Sequence, residues 1–335
     1  MKIALLGCKG TTLDLLHTLS PHVQFDYVIT LPEDIARKNN VAFYQSRHIL
    51  DYCRKKEIPT YMSSSYHLRE ESDLRFFRSS GIDLLLVIGW ERLIPEEILR
   101  GLGKYACGMH GSPFGLPKGR GRSPLNWSLI SDKKRFITYL FRYKPGIDDG
   151  DIIGFRAFDI NAFDTITSLH QKNRIIMGEL FLEYLPQMKE NRESFFPQPP
   201  GKPTFYPKRT AKDGFIDWRQ STRDIYNLIR AVSFPYPSAF TFLDGKKITI
   251  HEARPFDSLL FHSRGKAGEI LDVSIAAGNF VVKSKDGSII VTRFDGIDIG
   301  EIQTGRILES SDMEQIMKEI RSRYPDWIGD EEKEI

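Results

Sequence analysis

A chain of 335 residues, 41% hydrophobic and 27% charged, is too apolar to be disordered and long for one core, so two globular domains are expected. A net charge of +3 is small for a dedicated nucleic-acid binder, and no apolar run approaches the ~20 residues that cross a bilayer. Three cysteines (Cys8, Cys53, Cys107) without metal or redox spacing, and no secretory leader before residues 2–7, point to a reduced, cytoplasmic setting.

Residues 2–7 read as a short apolar strand. A glycine turn and a helical pattern through Leu13, Leu16 and Leu19 follow, as at the start of a nucleotide-binding α/β unit. A dinucleotide fingerprint would need a third glycine and an acidic residue closing the second strand, over 25–31; both are missing, which weighs against a dehydrogenase. A helix over 42–55, a strand over 58–62 and a helix over 68–79 lead to residues 82–88. That continuous apolar run is typical of a strand buried on both faces. Trp90 stands just beyond it, where it either lines a slot for a flat ring or packs across the domain. Pro95 then opens a short helix.

The next strand, over 106–110, is expected to end in His110. Ser123 and Pro124 read as an N-cap and first helical position, with Arg120 and Arg122 just before them as an anion site or as solvated loop residues. Strands over 136–143 and 151–158 flank a glycine-bounded turn that carries Asp148 and Asp149. Asp164 caps a long helix with Ile166, Leu169, Ile176, Leu180 and Tyr184 on one face. Residues 192–203, rich in proline, read as an extended linker. Beyond it come a helix over 221–232 and strands near 239–243, 247–253, 268–273, 278–284 and 288–294, a small β-rich barrel or sandwich. A helix centred on Ile316 and a charged tail at Glu331 read as peripheral.

His110 alone could be a packed histidine, and Asp148 a surface turn. Placed together at a sheet's carboxyl edge, they form a His–Asp pair with no Ser or Cys nucleophile beside it. Such a pair suits proton management better than covalent catalysis.

His110, Ser112, Leu116, Pro117, Arg120, Gly121, Pro124, Asn126, Trp127 and the Asp148-x-Gly150-Asp151-Ile152 turn resemble the formyltransferase family that uses 10-formyltetrahydrofolate. Residues 86–95 resemble that family's folate-side segment, and residues 208–218 and 227–232 its C-terminal domain. The resemblance implies a Rossmann-like α/β catalytic domain (1–190), a linker (191–204), a smaller β-rich, OB-like domain (205–310) and a helical, charged tail (311–335). It implies transfer of a formyl group from 10-formyltetrahydrofolate to a primary amine, with the nearest likeness to enzymes acting on amino sugars of nucleotide sugars. His110 would stabilise or protonate the tetrahedral intermediate, while Asp148 would accept the amine proton or set the imidazole's state. Ile88, Gly89, Trp90, Arg92, Leu93, Ile94, Gly146 and Ile147 fall on the folate side. Ser112, Arg120, Arg122 and Asn126 fall on the amine-substrate side, and no metal is implied. Folate and a nucleotide sugar are the expected partners, with no membrane, and a homodimer fits the same plan.

Formylation of methionyl-tRNA shares this domain plan. Its basic Gly-Arg-Gly loop after the second strand is absent here, where residues 31–38 stand instead, so nucleic acid is not expected. A non-catalytic folate- or nucleotide-binding module stays open, as does a formyltetrahydrofolate hydrolase. The reason is Gly108, which stands where the family has asparagine two residues before the histidine. The path from Ser112 to Leu116 is also two residues longer than the family's, and residues 113–115 are expected to fill the space left at Gly108.

Overall fold

The first strand shows how the sequence builds its sheet. In the computed structural model, which describes residues 1–261 and 264–323, strand β1 (Ile3–Leu6) sends Ile3 and Leu5 into one apolar cluster. Its other residues, Ala4 and Leu6, enter a second cluster. Side chains alternate along a strand, so one that is apolar at every position is covered on both faces. Helix α1 (Gly10–Leu19), strand β2 (Tyr27–Thr30), helices α2 (Glu33–Lys38) and α3 (Ser46–Lys55), strand β3 (Thr60–Met62) and helix α4 (Glu71–Ser80) follow. Strand β4 (Leu84–Val87) repeats the pattern, with Leu84 and Leu86 in the first cluster and Leu85 and Val87 in the second. Helix α5 (Glu96–Gly101) and strand β5 (Tyr105–Ser112) come next.

The chain continues through β6 (Arg120–Gly121), α6 (Pro124–Ile130), β7 (Arg135–Arg142), β8 (Ile152–Asp159), α7 (Ile166–Lys189) and β9 (Phe205–Tyr206). Helix α8 (Thr222–Val232), strands β10 (Ala239–Leu243), β11 (Lys246–Pro255), β12 (Ile270–Ser274), β13 (Asn279–Lys283) and β14 (Ser288–Asp295), and helix α9 (Met313–Ser322) complete it. Two compact units result. The first comprises Met1–Arg120, Ile137–Phe158 and Lys172–Pro203; the second takes Gly121–Phe136, Asp159–Gln171 and the chain from Thr204 onward.

The larger sheet has the order β3-β2-β1-β4-β5-β7-β8. Strands β1 to β5 run parallel, while β7 returns antiparallel to β5. In the second unit, five antiparallel strands in the order β10-β11-β14-β13-β12 form one sheet. Its core joins Trp218, Ile225 and Ile229 to Ile248, Ile250, Phe280 and Val291. Helix α8 is capped by Ser221, whose side chain accepts the Asp224 amide hydrogen. An α/β domain with a parallel sheet, accompanied by a β-rich C-terminal domain, is thus what the sequence predicts and what the chain forms. Among the described residues no helix is long and apolar enough to cross a membrane.

Three local expectations fail for identifiable reasons. The helix expected over 42–55 begins only at Ser46, because Asn40 and Phe43 adopt positive φ and turn the chain after the short α2. Ser123 sits at φ 57° in the left-handed region, and its side chain makes no cap bond. The stretch 192–203 is more than a spacer: Phe196 exchanges backbone hydrogen bonds with Ile152, at 2.7 and 2.8 Å, and so extends the sheet. The charged tail at Glu331 lies outside the described residues.

Gly7, just past β1, marks the tightest junction between strand and helix. A Cβ there would lie 1.8 Å from the Ile88 carbonyl oxygen and 2.4 Å from Thr12 Oγ1, which itself donates to that carbonyl at 2.6 Å. Gly7→Ala is therefore expected to cost about 1–3 kcal/mol of stability in urea unfolding, as overpacking does. An unchanged midpoint would show that this junction relaxes freely.

Candidate active site

Strand β5 outruns its parallel neighbour. The last parallel pair is Val87 with Gly108, so His110 stands beyond the carboxyl edge of the parallel strands. It does not end the strand, contrary to expectation. Strand β7 supplies antiparallel partners as far as Ser112, with His110 opposite Tyr139 and Gly108 opposite Phe141.

His110 Nε2 lies 2.9 Å from the Gly119 carbonyl oxygen. A carbonyl only accepts, so Nε2 carries the hydrogen in either charge state of the ring. Nδ1 then faces Asp148, 3.4 Å from Oδ2, and the pair shares whatever mobile proton the site holds. The His110 side chain is 9% exposed and that of Asp148 21%, so an incoming group meets the carboxylate first.

The turn that carries Asp148 is held on several sides. Asp148 itself has φ 48°, unusual for a residue with a side chain and the kind of strain that gathers at functional sites. Gly150 lies so close to Arg142 that a Cβ would fall 1.6 Å from its carbonyl oxygen, and the Arg142 amide donates to Asp151 O at 2.9 Å. The Gln198 side-chain amide donates to the carbonyls of Asp148 and Gly150, at 2.7 and 3.0 Å. Its oxygen accepts from Arg120 Nη2 at 2.6 Å. Gln198 belongs to the stretch that reads as a linker, and nothing near it in sequence signals this contact across some fifty residues.

Other site candidates have settled elsewhere. Arg120 is drawn into bracing the turn; burial lowers its pKa, while the charges of Asp149 and Asp148 oppose that shift. Its Nε is buried without a partner among the described residues. Ser112 is fully buried, and its Oγ accepts from the Phe114 amide at 3.2 Å, which makes it a loop anchor rather than a group facing substrate. Asn126, in the second unit, is buried and donates to the Ala231 carbonyl at 2.7 Å, a strut between α6 and α8. Arg122, also in the second unit, is fixed through its backbone amide to Tyr206 O at 2.8 Å. The anion site expected at the start of α6 therefore lacks both its cap and a free Arg120.

Residues 113–115 do not fill the space at Gly108. They fold onto Ser112 and Tyr139, and a Cβ at Gly115 would lie 2.9 Å from the Tyr139 hydroxyl. Tyr143 fills the space at Gly108 instead. Alternation along paired strands makes this readable afterwards: Ala106 and Gly108, both small, share one face of β5 with the residues opposite them.

The segment after β4 anchors by its buried side chains, Ile88 and Ile94, and turns at Gly89, where φ is 72°. Trp90 packs edge-on against Tyr66, with ring centroids 4.8 Å apart, so its indole is part of the core and not the wall of an open slot. Its Nε1 is buried and unpartnered. Arg92 lies over the outer side of Tyr66, 4.5 Å from the ring centre, and Leu93 is 51% exposed. A partly buried ion pair between Lys9 and Glu91, which the sequence did not reveal, ties this loop to the start of α1. Gly146 is exposed and Ile147 half-buried on the Asp148 turn.

The sheet edge carries a His–Asp pair, while Ser112 is engaged by its own loop and Cys107 is turned into the opposite cluster, so no Ser or Cys nucleophile stands beside the pair. The chain belongs to the formyl transferase family: the family's "Formyl transferase" domain matches residues 9–185, and its "Formyl transferase, C-terminal domain" matches residues 208–319. Among solved structures, an N-formyltransferase from Helicobacter canadensis, in complex with folinic acid and dTDP-3-aminofucose, is similar at 16% identity. That match has a TM-score of 0.62 and covers 88% of this chain and 100% of the other. WlaRD, a sugar 3N-formyl transferase solved with dTDP and 5-N-formyl-THF, matches at 17% identity and TM-score 0.61, covering 88% of this chain and 97% of WlaRD. HypX from Aquifex aeolicus, solved with tetrahydrofolic acid, matches at 18% identity and TM-score 0.61 over 96% of this chain and 47% of HypX. The chain thus spans about half the length of HypX.

Gln198→Ala removes the two hydrogen bonds that hold the Asp148 turn. Hydrogen exchange at the amides of residues 148–151 should accelerate, and global stability should fall by about 1–2 kcal/mol. Unchanged exchange there would show that Gly150 and Arg142 suffice to fix the turn.

Proposed function

We propose that this chain transfers a formyl group from 10-formyltetrahydrofolate to a primary amine, the amino group of a nucleotide-linked amino sugar. The observation that carries the reading is the His110–Asp148 pair, fixed at the carboxyl edge of the sheet in a chain of the formyl transferase family. The formylated folate supplies an activated one-carbon group at the oxidation level of formic acid, and the chain's own residues supply position and proton control. On this reading residues 88–94, with exposed Leu93 and cationic Arg92, and the exposed Gly146 and half-buried Ile147 of the turn receive the folate. Such a surface suits a flat ring with an anionic tail.

An amine is nucleophilic only when neutral, and its attack leaves a proton to be removed. Asp148, the more exposed partner, accepts that proton, and His110 spreads the charge through the Nδ1 contact while Gly119 fixes the far nitrogen. The acceptor class rests on the two similar sugar formyl transferases, which were solved with dTDP-3-aminofucose and with dTDP.

Incubation with 10-formyltetrahydrofolate and a panel of nucleotide-linked amino sugars, with formylated product read by mass, tests the reading. Formylation of charged initiator tRNA at a comparable rate would overturn the acceptor class. His110→Ala and Asp148→Asn should each lower transfer at least about a hundredfold while leaving folate affinity nearly intact, and their effects should be far from additive. Near-normal turnover in either variant would remove the pair from the chemistry.

A further inference from the structure

Gly108, His110 and Tyr143 lie on one face of the β5–β7 pair. His110 is opposite Tyr139 and Gly108 opposite Phe141, so the alternation that carries Tyr139 and Phe141 to that face carries Tyr143 there as well. The Tyr143 amide, bonded to Ala106 O at 2.8 Å, continues the same register. The phenol reaches back over Gly108: a Cβ at 108 would lie 2.7 Å from its oxygen, 2.9 Å from Cε1 and 2.8 Å from the Val87 carbonyl. Any side chain at 108 would displace this ring.

The ring packs well, since it stacks on Phe141 at 5.4 Å and joins the cluster around Ala106 and Val87. Its hydroxyl, however, makes no hydrogen bond among the described residues. The oxygen is not sealed from solvent, so it carries no penalty for an unmet hydrogen bond, and phenylalanine would pack as well without it: the hydroxyl adds nothing to the packing and stays open to an incoming group. Burial, and after it the charge of Asp148, hold its pKa far above the ordinary tyrosine range, so the group keeps its proton and can act as a donor. A group entering the site can therefore accept from it: His110 shares its face of the sheet, and Asp148 is close enough for its charge to act on the phenol.

We propose that the Tyr143 hydroxyl is a catalytic hydrogen-bond donor to the formyl oxygen during transfer. The proposal rests on the formyl-transfer reading and names a group that serves it. As the amine nitrogen bonds to the formyl carbon, the carbonyl electron pair moves onto oxygen, where the phenol O–H meets it. The amine proton passes to the His110–Asp148 pair. When the pair on oxygen returns, the bond to the folate nitrogen breaks, and that nitrogen takes the proton held by the pair. Tyr143 keeps its own proton throughout. The missing side chain at 108 is then a requirement of the site, because the phenol occupies its space.

The test compares the full-length wild type with Tyr143→Phe, which keeps the ring and removes one oxygen. Two readings are taken: single-turnover transfer to the best amine acceptor, and affinity for 10-formyl-5,8-dideazafolate relative to unformylated 5,8-dideazafolate. In the variant, transfer should fall by about a hundredfold, as loss of one oxyanion donor does. Affinity for the unformylated ligand should hold within about twofold, and the preference for the formylated one should shrink; thermal unfolding should not drop. Transfer and preference both within about twofold of wild type would make Tyr143 a packing residue and overturn the proposal while leaving formyl transfer intact. A wild type that binds neither folate would sink the formyl-transfer reading and this proposal with it. If the wild type binds the folates but formylates no amine on the panel, the formyl preference alone decides: its loss in Tyr143→Phe supports the donor, and its retention refutes it.

Discussion

The antiparallel pairing of β7 with β5 is the constraint on which the site depends. Parallel strands alone would leave β5 without a partner beyond Gly108, and a single unpaired extension would not hold His110 in place. The returning strand satisfies that backbone, puts Tyr139 opposite His110, and through the Arg142–Asp151 hydrogen bond hangs the Asp148 turn from the same scaffold. Histidine, aspartate and the phenol of Tyr143 therefore come from one short stretch of paired backbone. A slip of one residue in register would send His110 to the opposite face.

The centre of the sheet was legible in the sequence because β1 and β4 are short and apolar at every position. Residues 3–6 and 84–87 could hardly be anything but strands covered on both sides. His110 and Asp148 were legible as a pair because the histidine follows an apolar run and precedes a glycine, while the aspartate lies in a turn bounded by Gly146 and Gly150. What stayed hidden depends on contacts distant in sequence. Gln198 looks like any residue of a proline-rich spacer until the fold brings it against the carbonyls of Asp148 and Gly150. Trp90 looks like a ring-binding residue until Tyr66, two dozen residues earlier, buries it. Ser123 has the composition of a cap, but its positive φ points the side chain away from the helix amides.

Gly108 is the most instructive of these. Set against the family's asparagine, it reads as a loss, a position emptied of a side chain. The fold shows a space claimed by an aromatic ring from the neighbouring strand, with the ring's polar end within reach of Asp148's charge. The buried groups around it are committed in the same way: Arg120 to Gln198, Lys9 to Glu91, and Ser112 to its own loop. Each of these contacts ties a polar side chain to a loop that frames the site, which offsets part of the cost of taking it from water. The second unit follows the same rule, with buried Arg230 bonded to the carbonyls of Asn161 and Asp164 at 2.9 Å each.

The central claim is that the His110–Asp148 centre moves a formyl group to an amine rather than to water. Carbon-13 placed in the formyl group of 10-formyltetrahydrofolate, followed by NMR in the presence of an amino-sugar nucleotide, tests it most directly. The account predicts that the label appears as the formamide carbon of the acceptor, at a rate that depends on the amine. Release of the label as free formate, equally fast with and without the amine, would contradict it.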